Sequence, residues 1–288
     1  MIKVLVTGSN GQLGKSFKAV SINFPEIKFY FFDHEQCDIT NFKSLSSIVF
    51  NYDIEIIINC AAYTSVDNAE NDKKNALKVN CLGVKNLIKI IQFNNLKLIH
   101  FSTDYVFDGF GKKSYKENDS INPLSYYGKS KAEGEKIILE SKAEAIIVRT
   151  SWLFGCYGNN FVKKIINLSK SIERIELVKD QFIKPTCSID LAKTVIKLIL
   201  FPDSFKNKIY HFSNNGVISC YDFAKFFMNK IESKLEIYPI SMNEYKPEAI
   251  RPKNAILNTE LIERTLNLKI RNWNERIDKC LKILDEKK

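Results

Sequence analysis

No C-x-x-C pair occurs anywhere in this 288-residue chain. Its seven cysteines, Cys37, Cys60, Cys81, Cys156, Cys187, Cys220 and Cys280, are odd in number and scattered. That distribution argues against a disulfide framework and against a zinc site, and no metal is expected. Reduced thiols in a cytoplasmic protein are the expectation. The sequence also lacks an apolar run long enough to span a bilayer, so no membrane partner is expected. It lacks a secretory start, because "MIKVLVTGSN" enters a strand and a glycine turn directly. Internal repeats and low-complexity linkers are missing as well. Basic residues outnumber acidic ones by 43 to 33, a net charge of +10. They do not cluster, apart from pairs such as Lys73–Lys74, Lys112–Lys113, Lys163–Lys164 and Lys287–Lys288. Scattered lysine is a solvated surface, so no nucleic acid is expected as a partner. The charge suits an anionic small molecule.

What the chain does have is alternation. Short apolar runs rich in β-branched residues predict strands at "KVLVT" (3–7), "KFYFF" (28–32), "EIIIN" (55–59), "LKLIHFS" (96–102) and "EAIIVRT" (144–150). Helix-like segments lie between them, at 12–22, 41–51, 72–94 and about 125–141. This rhythm predicts an α/β fold, a Rossmann-type doubly wound parallel sheet. After residue 150 the rhythm loosens. "FVKKIINLSK", "DLAKTVIKLIL" and "YDFAKFFMNKI" read as helices, and "KPEAIRPKNAILNT" as a loop over the sheet. The expected division is a dinucleotide-binding domain at 1–150 and a smaller substrate-binding lobe at 151–288. Some segments of that lobe should return to the first core.

Gly8, Gly11 and Gly14 form G-x-x-G-x-x-G between the first strand and the first helix. A tight turn needs backbone freedom, and a pyrophosphate needs close backbone approach. The helix N-terminus then offers free N–H groups and a partial positive charge. In the first βαβ unit this predicts dinucleotide binding. Asp33, after the second strand, stands where an acid accepts from an adenosine ribose; a solvated loop aspartate is the alternative. No Arg follows it to clasp a 2′-phosphate, while Lys and His neighbours keep NADPH open beside NADH. Asp38 and Ile39 are placed for the adenine. Small Ala61 and Ala62 after the third strand would let a cofactor lie against backbone.

The fourth strand ends in "STDYVFDG" (102–109), and "SYYGKSKAEGEK" (125–136) follows. Tyr127 and Lys131 are four apart, so a helix puts them on one face. A nearby ammonium lowers a phenol's pKa, and a tuned phenol gives or takes protons. Ser102 or Thr103 would hydrogen-bond a substrate carbonyl at the strand end, where open α/β sheets place their sites. Tyr126 is off the Lys131 face.

At these residues the sequence resembles the extended short-chain dehydrogenases/reductases, and within them the dTDP-4-dehydrorhamnose reductase family. The resemblance spans nearly the whole chain. It rests on "VTGSNGQLG", "NCAAYTSVDNAE", "FSTDYVFDG", "YYGKSKAEGEK", "VRTSWLFG", "GNNFV", "DQFIKPT" and "RPKNAILNT". It implies a catalytic set of Thr103, Tyr127 and Lys131. It implies cofactor contacts at Asn10, Gly11, Gln12, Leu13, Asp38, Ile39, Ala62, Tyr63, Thr64 and Ser102, with Tyr127 and Lys131 sharing that duty. On the substrate side it implies Asp104, Tyr105, Trp152 and Arg251, the last for a diphosphate. The implied reaction is NADPH- or NADH-dependent reduction of dTDP-4-dehydro-L-rhamnose at C4, which feeds surface polysaccharide such as lipopolysaccharide O-antigen. Two departures stand out. Ile183 replaces a common Gly, and Ser16 stands where some members carry an acidic metal ligand. The second argues against a metal-bridged dimer, while a homodimer as such stays open. Two rivals remain. A sugar-nucleotide dehydratase or epimerase is disfavoured, because Thr103-Asp104-Tyr105 lacks the dehydratase Glu. A non-catalytic subunit similar to the regulatory subunit of methionine adenosyltransferase is the other.

Overall fold

The computed structural model describes residues 1–111, 113–206 and 208–286. Lys112, Lys287 and Lys288, part of the lysine pairs noted above, lie outside the described residues, as does Asn207. Six strands form one sheet: β1 (Ile2–Thr7), β2 (Ile27–Phe31), β3 (Ile56–Asn59), β4 (Lys97–Thr103), β5 (Glu144–Thr150) and β6 (Ile209–Phe212). Their spatial order is β6-β5-β4-β3-β1-β2, and every pairing is parallel. The chain steps one way from β1 to β2 and the other way from β1 to β3. That reversal opens a crevice at the C-terminal strand ends, where ligands bind in such sheets.

Parallel strands are apolar on both sides because helices cover both faces. In β1, Val4 and Val6 face one core with Phe17 of α1 (Gln12–Val20) and with Leu191 and Val195 of a later helix (Ser188–Leu200). Leu5 faces the other core, with Leu45 of α2 (Phe42–Asn51) and with Leu87 and Ile91 of α3 (Gly83–Asn94). The helix α4 (Tyr126–Glu140) lies on this second face and buries Ile138 there.

The expected helix over 72–94 is a helical path with a fault in it. A π turn, Lys78–Leu82, separates Lys73–Leu77 from α3. It brings Asn80 inward, 1% exposed, and α4 passes so close that a Cβ on Gly134 would sit 2.5 Å from the Asn80 carbonyl oxygen.

Beyond β5 the three expected helices are present as α5 (Phe161–Leu168), α6 (Ser188–Leu200) and α7 (Cys220–Lys230), and residues 246–259 form the expected loop. The sequence reading missed β6 and the last helix, α8 (Asn274–Asp285). It also missed three two-stranded ladders, such as Arg174–Val178 with Glu236–Ile240. A third core of Phe154, Val162, Phe223, Phe227, Trp273 and Ile277 unites α5, α7 and α8. Ile183 packs into that core, 2% exposed, so the departure from Gly fills an interior. The segments β6 and α6 instead join the sheet and its first core.

Candidate active site

Three loops meet at the crevice. In the first, Gly8 has φ +62, and a Cβ there would lie 2.7 Å from the Ala61 nitrogen. The glycine turn thus packs on the loop after β3. A Cβ on Gly14 would lie 2.5 Å from the Ser9 Cα, so only Gly lets α1 start this close to the turn. Gly11 is the N-cap of α1; no side chain caps it, and no acid sits in the first turn. These N–H groups are therefore free for an anion. Gln12 adds a buried Nε2 with no protein partner. Leu13 turns inward to the core, so only its backbone can serve a ligand.

Asn10 donates to Asp33 at 2.7 Å, which ties the turn to the end of β2. The other Asp33 oxygen accepts the Gln36 N–H. Asp38 accepts from the Thr40 N–H and hydroxyl, at 2.8 and 2.9 Å. The Ile39 side chain is buried against Gly83 and belongs to the core.

In the second loop the Ala61 N–H donates to Asn59 Oδ1. Asn80 clamps Tyr63 by both its N–H and its carbonyl, at 2.9 and 3.0 Å, and donates onward to Ser130 of α4 at 2.9 Å. Asn80 was missed from the sequence. A buried amide that bonds a loop backbone leaves no mark in apolar periodicity. Ala62 is half-buried and Thr64 is exposed beside it.

The third loop gathers the expected Thr103, Tyr127 and Lys131. Ser125 caps α4 by accepting the Gly128 N–H, which sets Tyr127 in the first turn. Thr103 ends β4, opposite Thr150 of β5. Its hydroxyl donates to Asp104 Oδ1 at 3.1 Å and accepts the Tyr105 N–H at 3.2 Å. Burial pushes the Tyr127 phenol up to about 12, and a hydrogen bond with Thr103 works against that rise. This corrects the expectation that Lys131 lowers the phenol. Lys131 is 2% exposed, and its Nζ lies 3.1 Å from His100 Nε2 inside the sheet. Burial lowers the amine to about 8, with the Glu135 charge opposing. Ser102 Oγ and Thr150 Oγ1, on adjacent strand ends, are buried and have no protein partner.

On the far side, Tyr105 is buried, its ring 5.7 Å from that of Tyr127 in an edge contact. Asp104 also accepts from Ser151 at 2.7 Å, and burial pushes its carboxyl up to about 6 despite those hydrogen bonds. Trp152 follows β5 at φ +41 and meets Phe161 of α5 edge-on at 5.3 Å. A large residue held in the left-handed region marks strain of the kind that gathers at ligand sites. Arg251 forms a bidentate pair with Asp67, at 2.9 and 2.6 Å, which the sequence reading did not anticipate. Ser16 is buried and bonds to Gln12 and Ser188, not to a surface. Among the described residues no group of three or more His, Cys, Asp or Glu side chains could hold a metal ion.

A doubly wound sheet, a glycine turn at its switch point and a Tyr-x-x-x-Lys helix beside the β4 end define a nicotinamide-dependent oxidoreductase of the extended short-chain class. The chain belongs to the family of the RmlD substrate binding domain, whose model matches residues 2–286. It is 39% identical to the dTDP-4-dehydrorhamnose reductase of Aggregatibacter actinomycetemcomitans, over 96% of this chain and 97% of that one. It is 30% identical to a dTDP-4-keto-6-deoxy-D-glucose reductase of Streptomyces niveus, over 98% and 97%. The solved dTDP-4-dehydrorhamnose reductase of Bacillus anthracis, in complex with NADP, superposes with a TM-score of 0.92 at 38% identity, covering 98% of this chain and 99% of that one.

Proposed function

We propose that this protein reduces the C4 ketone of dTDP-4-dehydro-L-rhamnose to the alcohol of dTDP-L-rhamnose with NADPH or NADH. One observation carries the reading. Thr103 and Tyr127 adjoin at a strand end, beside partnerless buried hydroxyls and an uncapped helix N-terminus. The uncapped α1, the glycine cradle and the orphaned Gln12 amide fit a dinucleotide, with Gly8, Asn10, Gly11 and Gly14 around the phosphates. Asp33 and Asp38 are assigned to the adenosine end, with Ala61, Ala62, Tyr63, Thr64 and Ser102 along the cleft. When bound, the reduced nicotinamide supplies the hydride for C4.

The protein's own groups do the rest. Thr103 orients the carbonyl and stabilises the charge that grows on its oxygen. Tyr127 gives its phenolic proton to that oxygen. A phenol raised to about 12 arrives fully protonated at neutral pH, which suits a donor to a far more basic alkoxide. Lys131, buried one turn along α4, is assigned to the nicotinamide ribose side. Trp152 and Tyr105 wall the sugar. Arg251 receives the diphosphate and would exchange part of its Asp67 pairing for phosphate oxygens. The lobe beyond residue 150 is the substrate wall, except where β6 and α6 rejoin the sheet. The reading takes the enzyme to be cytoplasmic; no described helix is long and apolar enough to cross a membrane.

The test is loss of absorbance at the reduced-nicotinamide band, with the sugar generated in situ and both cofactors run in parallel. Sugar-dependent oxidation is the expected result. Cofactor binding without oxidation would turn attention first to another nucleotide 4-keto-6-deoxy sugar, the reading that the Streptomyces niveus relative favours. A tight complex with a synthetase and no turnover would support the non-catalytic reading.

A further inference from the structure

The helix that carries Tyr127 takes part of its anchor from another part of the chain. A helix start leaves backbone N–H groups without partners, and they attract negative charge. No acidic residue stands in the first turn of α4. Ser125 accepts the Gly128 N–H. The Tyr126 N–H, next to the phenol of the proposed reaction, goes to Glu70 Oε1 at 2.8 Å, across 56 positions of sequence. Nothing in the reaction as written uses Glu70.

Glu70 is itself held in place. It lies in the single helical turn Asn68–Asn71, and its N–H donates to the Asp67 carbonyl at 3.1 Å. Its neighbour Ala69 is buried. Asp67 in turn accepts from Arg251 and, at 3.2 Å, from the Ala249 N–H. The turn is therefore pinned to the segment that carries Arg251. Lys73, just beyond it, places Nζ 5.3 Å from the centre of the Tyr126 ring. Tyr126 is thus gripped by both its backbone and its ring. Two residues on, Gly128 packs so tightly on the Tyr105 carbonyl that a Cβ would overlap it. A start of α4 held at both points fixes where the Tyr127 ring stands, edge-on to Tyr105 at 5.7 Å and in a hydrogen bond with Thr103.

We propose that Glu70 is a positioning residue: its carboxylate anchors the first turn of α4 and so sets the Tyr127 hydroxyl against Thr103 and the reacting carbonyl. A carboxylate that accepts a backbone N–H at a helix start makes a charge-assisted bond, stronger than a neutral one. Without it the Tyr126 N–H must turn to water, and the first turn loosens at the residue beside the phenol. The role needs no contact between Glu70 and cofactor or sugar, because it acts through Tyr127. Its effect on turnover rests on the proposed reaction; the placement of Tyr127 does not.

The experiment labels the tyrosines with ¹³C at Cζ and follows the Tyr127 resonance without cofactor or sugar. The chain has 12 tyrosines, and the Tyr127 signal is the one missing from Tyr127→Phe. Glu70→Ala should move that signal. Glu70→Gln, whose amide oxygen still accepts the Tyr126 N–H, should keep it in its natural place. A signal unmoved in folded Glu70→Ala overturns the proposal. Should Glu70→Ala not fold, Glu70→Asp keeps the charge but withdraws it by one methylene, and an unmoved signal there overturns the proposal equally. Turnover gives the second readout. In Glu70→Ala, kcat should fall about tenfold or more, with KM and reduced-cofactor affinity within about threefold, and Glu70→Gln should recover it. In the Tyr127→Phe background, Glu70→Ala should change the residual turnover by less than about twofold, because residues that act as a unit do not add. A full further loss there would show a merely structural part and overturn the proposal. A moved signal, with no sugar-dependent oxidation even by the natural chain, would sink the proposed reaction and leave the placement of Tyr127 by Glu70 standing.

Discussion

Asp104 is ionised at pH 7, because burial raises its carboxyl to about 6 and no further. Both oxygens then accept, one from Thr103 and one from Ser151. Below pH 6 a proton sits on one of them, and the hydroxyl facing that oxygen must turn and accept instead of donating. Turnover should therefore fall on the acid side with a midpoint near 6, through displacement of the Thr103 hydroxyl. Asp104→Asn should abolish that limb in a kcat profile; a limb that persists would exclude Asp104 as its source. The same shift bears on folding. A folded-state value raised above the ordinary 3.8 means that the protonated group favours the fold. That contribution is complete below 3.8 and is lost as pH rises through about 6. Asp104→Asn never ionises, so its stability relative to the natural chain should grow across that window, read from urea midpoints at each pH.

Single elements carry the site on few contacts. The close start of α1 depends on Gly14, since an added Cβ would strike the Ser9 backbone. Gly14→Ala should displace the turn and weaken cofactor binding more than about tenfold, while thermal stability changes far less; equal affinity by fluorescence titration would contradict the cradle. Helix α4 is tied to β5 by the buried Glu135–Arg149 pair, 1% and 3% exposed at 2.7 Å. Glu135→Gln leaves a buried guanidinium without its partner charge, so it should cost about 3–5 kcal/mol in denaturant unfolding. A loss below about 1 kcal/mol would show that the Glu117 backbone carbonyl and the His211 ring, which also meet Arg149, suffice to hold the guanidinium.

The same elements show what the sequence could reveal. Strands β1 to β5 were legible because each is an apolar run between punctuating turns. Strand β6 was not, because four residues within mixed polarity give no period to read. The Thr103–Tyr127 meeting was legible through a strand end and a helix start. The Asp67–Arg251 pair, 184 residues apart, was not, and neither was the inward turn of Asn80. Lys131 shows the limit most clearly. Helical spacing put it on the face of Tyr127, but it could not say that a histidine on β4 would take the amine.

At the scale of the molecule, one sheet and one aromatic core are joined across the cleft. Gly158, at φ +61 in the segment after β5, sits where a Cβ would be 2.7 Å from the Gln12 Cα, so the second half of the chain closes directly on the glycine turn. On the proposed reading, glycine turn, α4 and the wall beyond β5 form one unit, and turnover through Tyr127 should depend on all three. The measurement that tests this most directly compares the natural chain with Tyr127→Phe for both reduced-cofactor binding and sugar-dependent oxidation. The account predicts cofactor affinity within about twofold and turnover reduced by about 100-fold or more, the usual worth of a positioned proton donor. Turnover close to that of the natural chain, with the sugar still reduced at C4, would contradict it.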